Sequence, residues 1–385
     1  MPSLVAFPGL AALQGLTGAA PPTGLASAAT SPELASAANL ALYSSMAVFT
    51  ITMLLYAAYL AALGPDPSLR RAGEPARELV GAGAGASGTS GSPNPSDAAT
   101  TGATSELAGA SAGSGAGAVV GSGAGAAAGA AGGPSMRARK LAGSAFAMTC
   151  LATVLLVASV ALRGLSVMRA PWGNMFEFAT AGAAAAAVAY CLLARRNRWD
   201  WLGLFVVGPI LLTLGTSLLA FYTEAAELMP ALKSVWLVIH VIVAILAVGL
   251  FVIAFSVGIL YLIKAHREAD ANTRPNFLET LPSAASLERT AYGLNMVGFI
   301  LWTFTLVAGA IWAQKAWGAY WTWDPKEVWT FVVWVVYAAY MHARATAGWE
   351  PRKAMWIALA GFGTVIINFA VVNVFFVGQH SYSGL

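Results

Sequence analysis

The chain has 385 residues, 58% of them hydrophobic and only 10% charged, and its mean hydropathy is +0.68. Soluble domains are about 45–50% apolar and about 25% charged, so a soluble enzyme is excluded. The same hydrophobic content excludes a disordered chain. What remains is an all-α, polytopic membrane protein, because only helices or closed barrels satisfy the backbone in hydrocarbon.

In chain order, residues 1–37 read as an external tail. No Lys or Arg precedes Arg70, so the basic start of a cleavable signal peptide is missing. Eight apolar runs are long enough to span a bilayer: 38–63, 141–162, 174–194, 200–222, 236–263, 290–313, 327–345 and 354–377. Residues 64–140 form a connection whose stretch 81–134 is a Gly/Ala/Ser tract, expected to behave as a flexible linker. Residues 107–136 carry no charge, but Ala and Gly make them weakly apolar. Counting them as a span would invert every later loop. The linker therefore separates a lone first helix, 38–63, from a seven-helix core, 141–385.

Orientation follows from the basic residues. Of the 21 Lys and Arg, sixteen fall on one side: in 64–140, the turn after 194, the loop after 263, and the turn after the seventh span together with Arg344 at the end of that span. Five fall on the other side: Arg163, Arg169, Lys233, Lys315 and Lys326. The positive-inside rule then places both termini outside, in a multi-pass plasma-membrane protein. Net basicity is thus a topogenic signal, and nucleic acid is not an expected partner. Cys150 and Cys191 lie in different apolar runs with no CxxC, which gives little support to thiol exchange or zinc.

The densest signal is Trp317-Gly-Ala-Tyr-Trp-Thr-Trp-Asp-Pro-Lys-Glu-Val-Trp329, within an external loop spanning 314–329. Trp317, Trp321, Trp323, Trp329 and Tyr320 sit beside Asp324 and Glu327. An aromatic belt at the membrane surface explains one or two Trp per helix end, not this cluster. A binding platform explains it better, since rigid indoles stack on a large planar ligand at low entropic cost. Asp324-Pro325 reads as an N-cap followed by Pro at N1, with Glu327 in the first turn. The platform is then tied to the seventh span.

Two histidines bracket this loop at one depth. His240 lies one turn after Trp236, near the external end of the fifth span, and His380 follows the eighth. An intramembrane histidine is either packed against a backbone carbonyl or functional. Two imidazoles flanking an aromatic shelf fit the axial ligands of a planar iron porphyrin. His342 is about 15 residues below Glu327, roughly 22 Å away at ~1.5 Å per residue, and cannot share that iron. Its position suits an inner-side ligand or a helix-end cap beside Arg344 equally well. His266, in Lys-Ala-His-Arg, reads as solvated.

The Trp317–Glu327 stretch resembles the tryptophan-rich "WWD" signature of haem-handling proteins. The likeness is to the CcsA/ResC family of system II cytochrome c biogenesis proteins, often labelled CcsB in actinobacteria. Further matching segments are Trp172-Gly-Asn-Met-Phe-Glu-Phe, Leu228-Met-Pro with Trp236-Leu-Val-Ile-His240, Tyr340-Met-His342-Ala-Arg and Gly378-Gln-His380-Ser-Tyr. The resemblance covers about 141–385; the Gly/Ala/Ser insert has no counterpart in it.

The resemblance implies that haem b is moved to the outer face and presented to apocytochrome c, whose CxxCH thiols add across the vinyl groups. His240 and His380 would be the external axial ligands, the loop with Asp324 would hold the macrocycle, and His342 would be an inner-site ligand. It implies a ResB-like membrane partner, which would supply the missing inner histidine, and indirectly a thioredoxin-like thiol reductant. The chain would then be a subunit of a holocytochrome c synthase. A haem exporter without synthase activity is the alternative reading. Because the linker cannot pack, deleting most of 81–134 is expected to leave activity and protein level unchanged, checked by haem-staining of c-type cytochromes against an immunoblot of this chain.

Overall fold

A computed structural model of the chain describes residues 31–63, 135–225, 234–270 and 277–380. Residues 64–134 of the predicted linker, the tail up to residue 30, Lys233 and Arg274 lie outside the described residues. Helices α1 (Pro32–Ala62), α2 (Met136–Ser166), α3 (Met175–Asn197), α4 (Gly203–Ala220), α5 (Val235–Ala269), α6 (Ala284–Trp317), α7 (Pro325–Ala345) and α8 (Pro351–Ile366) follow in order. A π-turn, Ile367–Val371, joins α8 to a last short helix, α9 (Val372–Phe375). Among the described residues there is no strand.

Among the described residues, seven helical stretches are long and apolar enough to cross a membrane. The predicted 327–345 span is the exception. Its helix α7 has 21 residues, about 31 Å at ~1.5 Å per residue, which matches a bilayer core of about 30 Å. Its lower hydropathy comes from Trp, Tyr, His and Arg side chains along its length and Lys326 and Glu327 in its first turn. The outward faces of the other helices carry Leu40, Leu54, Val154, Leu212 and Ile300, as expected of a chain immersed in lipid. This is a multi-pass membrane bundle.

Most boundaries differ from those read in the sequence: α5 continues to Ala269, and α6 spans Ala284–Trp317 instead of 290–313, so the loop before α7 is shorter than the expected 314–329. Two of the new starts have a local cause. Helix α1 begins at Pro32, not 38, because Ser31 is extended, Pro32 pre-sets the first turn and Glu33 faces the positive end of the helix dipole. Helix α2 begins at Met136, inside the predicted linker, because the Ser135 hydroxyl accepts the Ala138 N–H at 3.2 Å.

Helices α1 and α2 run antiparallel, with the Ser31 N–H donated to the Ser166 carbonyl. Their buried positions follow a 3.5-residue repeat: Ala38, Leu42, Ser45, Phe49, Thr52 and Tyr56 on α1, and Ala138, Ala142, Ala145, Thr149, Ala152, Leu156 and Ser159 on α2. The repeat keeps one seam facing the partner helix. Its small residues let the backbones approach closely, the usual device for packing in lipid. Polar groups on the seam are paired: Tyr56 and Tyr190 hydroxyls meet at 3.1 Å, and Thr149 donates to Tyr56 at 3.3 Å. Separation into different spans does not keep the two cysteines apart: Cys191 is in side-chain contact with Cys150, and both are free thiols.

At the end of the bundle that carries the tryptophan loop, fully buried Glu177 on α3 binds two arginines. Arg163 Nε reaches Oε1 at 3.0 Å, and Arg169 Nη1 reaches Oε2 at 2.7 Å. The Gly173 N–H donates to Oε2 at 2.7 Å, while Asn174 caps α3 by accepting the Glu177 N–H at 2.9 Å. Arg163 also donates to the Thr223 carbonyl and stacks over Phe176 at 4.7 Å. The Trp172-Gly-Asn-Met-Phe-Glu-Phe segment is thereby fixed between α2, α3 and the end of α4. Removing one partner of a buried ion pair costs about 3–5 kcal/mol. Glu177→Gln is therefore expected to lower stability by about that amount, read as a drop in the thermal unfolding midpoint of the purified protein.

Candidate functional site

His240 stands on α5 about one and a half turns from its start, where the Ser234 hydroxyl accepts the Trp236 N–H at 3.3 Å. Its Nδ1 is 2.9 Å from the Thr305 carbonyl oxygen on α6. A carbonyl only accepts, so Nδ1 carries the proton and Nε2 the lone pair. The ring has room because position 309 is glycine: a Cβ there would lie 2.8 Å from His240 Cε1. The Trp312 indole, one turn further along α6, stacks on the imidazole at 6.3 Å and 15°.

His380 is held from the opposite side. Its Nδ1 is 2.9 Å from Asp324 Oδ1. The carboxylate also accepts the Gln379 N–H at 2.6 Å on Oδ2 and the Lys326 N–H at 3.0 Å on Oδ1. The predicted helix start is present in full, with Asp324 as N-cap, Pro325 at N1 and a capping box closed by Glu327. Glu327 in turn accepts the Thr322 N–H at 2.8 Å and the Asp324 N–H at 3.2 Å. The terminal turn can come this close only because residue 378 is glycine; a Cβ would stand 2.2 Å from Asp324 Oδ2.

A histidine whose Nδ1–H is given to a carboxylate presents Nε2 in a fixed direction, as in carboxylate–histidine–metal arrangements. Burial pushes the Asp324 carboxyl up, but the His380 hydrogen bond and charge, with the two backbone N–H groups, outweigh it. The net effect is a pKa below the usual value. The stability this carboxylate contributes is complete above the unfolded carboxyl pKa of about 3.9 and is lost as pH falls through the lowered folded value.

Two adjoining cavities of about 140 and 150 Å³ lie between these rings. Both are lined by His240, His380, Trp312, Lys326, Phe178 and Phe369. The first extends to Tyr320 and Trp321, the second to Trp172 and Asn174 of the fixed α2–α3 connection.

The structure thus brings His240, His380, Tyr320 and Trp321 to one place. Trp317 joins them by packing edge-on against His380 at 4.7 Å. Asp324 reaches the site through His380. Trp323 is 76% exposed, and its left-handed backbone (φ 60°) turns it away. Trp329 lies on α7 and lines neither cavity. His342 is exposed near the far end of α7, where its carbonyl accepts the Thr346 N–H at 3.0 Å; Arg344 beside it pairs with Glu288 at 2.7 Å.

Sequence reasoning missed Trp312, which touches both imidazoles: it stacks on His240 and meets His380 at 5.6 Å and 64°. The available signal was the Gly309–Trp312 spacing, one turn of helix, opposite His240. Asp324→Asn would set an amide N–H₂ against donors that now meet carboxylate oxygens. A lost buried hydrogen bond with a group left unsatisfied costs about 1–3 kcal/mol. The variant is expected to lose that much stability in thermal unfolding, whereas Trp329→Phe is expected to lose less than about 1 kcal/mol.

The family model described as "Cytochrome C assembly protein" matches residues 140–380. "Cytochrome c biogenesis protein CcsA" of Guillardia theta is 37% identical over 204 residues, 47% of this chain and 68% of that protein. The protein of the same name from Synechococcus sp. (strain CC9902) is 30% identical over 263 residues, 61% of this chain and 85% of the relative. For the one from Chlamydomonas reinhardtii, 39% identity covers 41% of this chain but only 44% of that protein. The matched region contains α2 to α9 with both imidazoles and the tryptophan loop, and the chain belongs to the cytochrome c assembly protein family.

Proposed function

We propose that this chain acts in cytochrome c maturation as the haem-presenting subunit of a system II cytochrome c synthase, with haem b as its cargo. The observation that carries the reading is the pair of imidazoles on one cavity system. Each gives Nδ1–H to an oxygen acceptor, Thr305 C=O or Asp324, and keeps Nε2 as the nitrogen able to ligate iron. The family membership and the relatives' names support the same role.

The donor set fits an iron porphyrin, and its aromatic surroundings fit the macrocycle. The volumes do not fit without movement. Ligand-sized sites hold about 300–1,000 Å³, and each cavity here holds about half the lower figure or less.

In this reading the tryptophan loop faces the outside of the plasma membrane. His240 and His380 hold iron in both axial positions, and the loop presents the vinyl edge to apocytochrome c. Each acceptor thiol adds across one vinyl group, sulfur to one carbon and hydrogen to the other, so no oxidant is consumed. A thioredoxin-like reductant keeps those thiols reduced, and the CxxCH histidine replaces one of the two ligands at release. The chain contributes mainly position. His342, exposed at the other end of α7, supplies one ring of an inner site, and a ResB-like partner supplies the second.

His240→Ala and His380→Ala are each expected to abolish covalent c-type cytochromes while the chain still accumulates, measured by haem-staining of membranes. Normal cytochrome levels in both variants would overturn the reading.

A further inference from the structure

Five basic side chains were expected at the loop end of the bundle, and their environments differ. Arg163 and Arg169 are bound to Glu177. Lys315 Nζ lies 5.9 Å from the Trp236 ring. Lys326 alone among the described ones lines the two cavities that hold the imidazoles. Its Nζ donates to the Asn368 carbonyl at 2.6 Å. No carboxylate among the described residues forms an ion pair with it: the two oxygens of Asp324 are engaged by His380 and by the backbone of Lys326 and Gln379.

A partly buried cation beside largely apolar cavities is costly unless an anion meets it, which makes such a residue a functional candidate. Two further features point to a ligand. Asn368 sits in the π-turn Ile367–Val371, and such interruptions recur at functional sites. Here the π-turn carries the carbonyl that holds the ammonium. The second is Trp312: its ring is 2% exposed, it lines both cavities, and its Nε1 has no hydrogen-bond partner. An indole N–H only donates. Beside the cavities stand a cation bonded to a carbonyl but paired with no carboxylate among the described residues, and an indole N–H with no acceptor, and the complement of that pair is a carboxylate.

We propose that Lys326 binds a propionate carboxylate of the porphyrin, with the Trp312 N–H as second donor. The inference rests on the reading of His240 and His380 as iron ligands and adds what those ligands cannot supply. Two axial imidazoles leave the macrocycle free to turn about the iron axis. An ionic anchor at one edge stops that rotation and fixes which edge carries the vinyl groups outward, which sets the face at which the acceptor thiols arrive.

The test uses the full-length chain in detergent, titrated with haem and with haem dimethyl ester, whose carboxylates are masked. The wild type is expected to bind haem at least tenfold more tightly than the diester. In Lys326→Met that ratio is expected to fall to near one, with the low-spin bis-imidazole absorption unchanged, and in Lys326→Arg to stay high. Lys326→Gln serves the same purpose where the methionine variant does not accumulate. A wild type that binds both compounds equally, or a neutral variant that keeps the wild-type ratio, overturns the assignment of Lys326 while leaving the imidazole ligands standing. A wild type that gives no low-spin spectrum with either compound defeats the imidazole reading itself.

Discussion

Asp324 is the point on which the site depends. Its two carboxylate oxygens accept from His380, from the Gln379 backbone and from the start of α7. One buried side chain therefore joins the tryptophan loop and the helix that follows it to a terminal turn 55 residues further along the chain. Remove it and His380 has no direction, because the residues around it, Gly378 to His380, form only a turn. The cap that starts α7 and the anchor that aims the imidazole are the same group, so helix formation and site formation are a single event.

The other imidazole is fixed by a different device. His240 depends on backbone approach, not on a charge. The α5–α6 contact has glycine at 309 where the ring crosses, and the Thr305 carbonyl is within reach because α6 lies close. Lipid offers helices no hydrophobic reward for associating, so close packing of small residues has to do that work. The small residues that hold the bundle together are thus also the ones that make room for a polar ring inside it. Burial of Glu177 with two arginines extends the same logic to the α2–α3 connection, which gives the second cavity a wall that does not move.

Much of this was legible in the residues. Charge-poor runs gave the spans, since a bilayer tolerates few alternatives. Asp324-Pro325-Lys-Glu327 gave the helix start, because capping is local chemistry. His240 and His380 were legible as a pair from depth alone. What the sequence could not reveal were contacts between distant segments that have no local signature. Trp312 reads as one more aromatic in an apolar run, and only the crossing of α5 and α6 places it against both imidazoles. Lys326 looked equivalent to four other cations until Glu177 was seen to hold two of them. Conversely, the tryptophan count suggested one continuous shelf, yet helical phase on α7 turns Trp329 away from the cavities, and the left-handed backbone at Trp323 exposes that ring.

The division of labour among the histidines follows from where each ring points. His240 and His380 share cavities at one end of the bundle, each with its Nδ1 committed, so their chemistry is complete within this chain. His342 lies exposed at the other end of the same helix whose first turn carries Lys326. That ring is exposed, and its neighbour on the helix is the Thr346 hydroxyl, 3.4 Å from Nε2. Helix α7 is therefore a strut with unequal ends: its first turn anchors His380 through Asp324, and its last turn leaves His342 exposed.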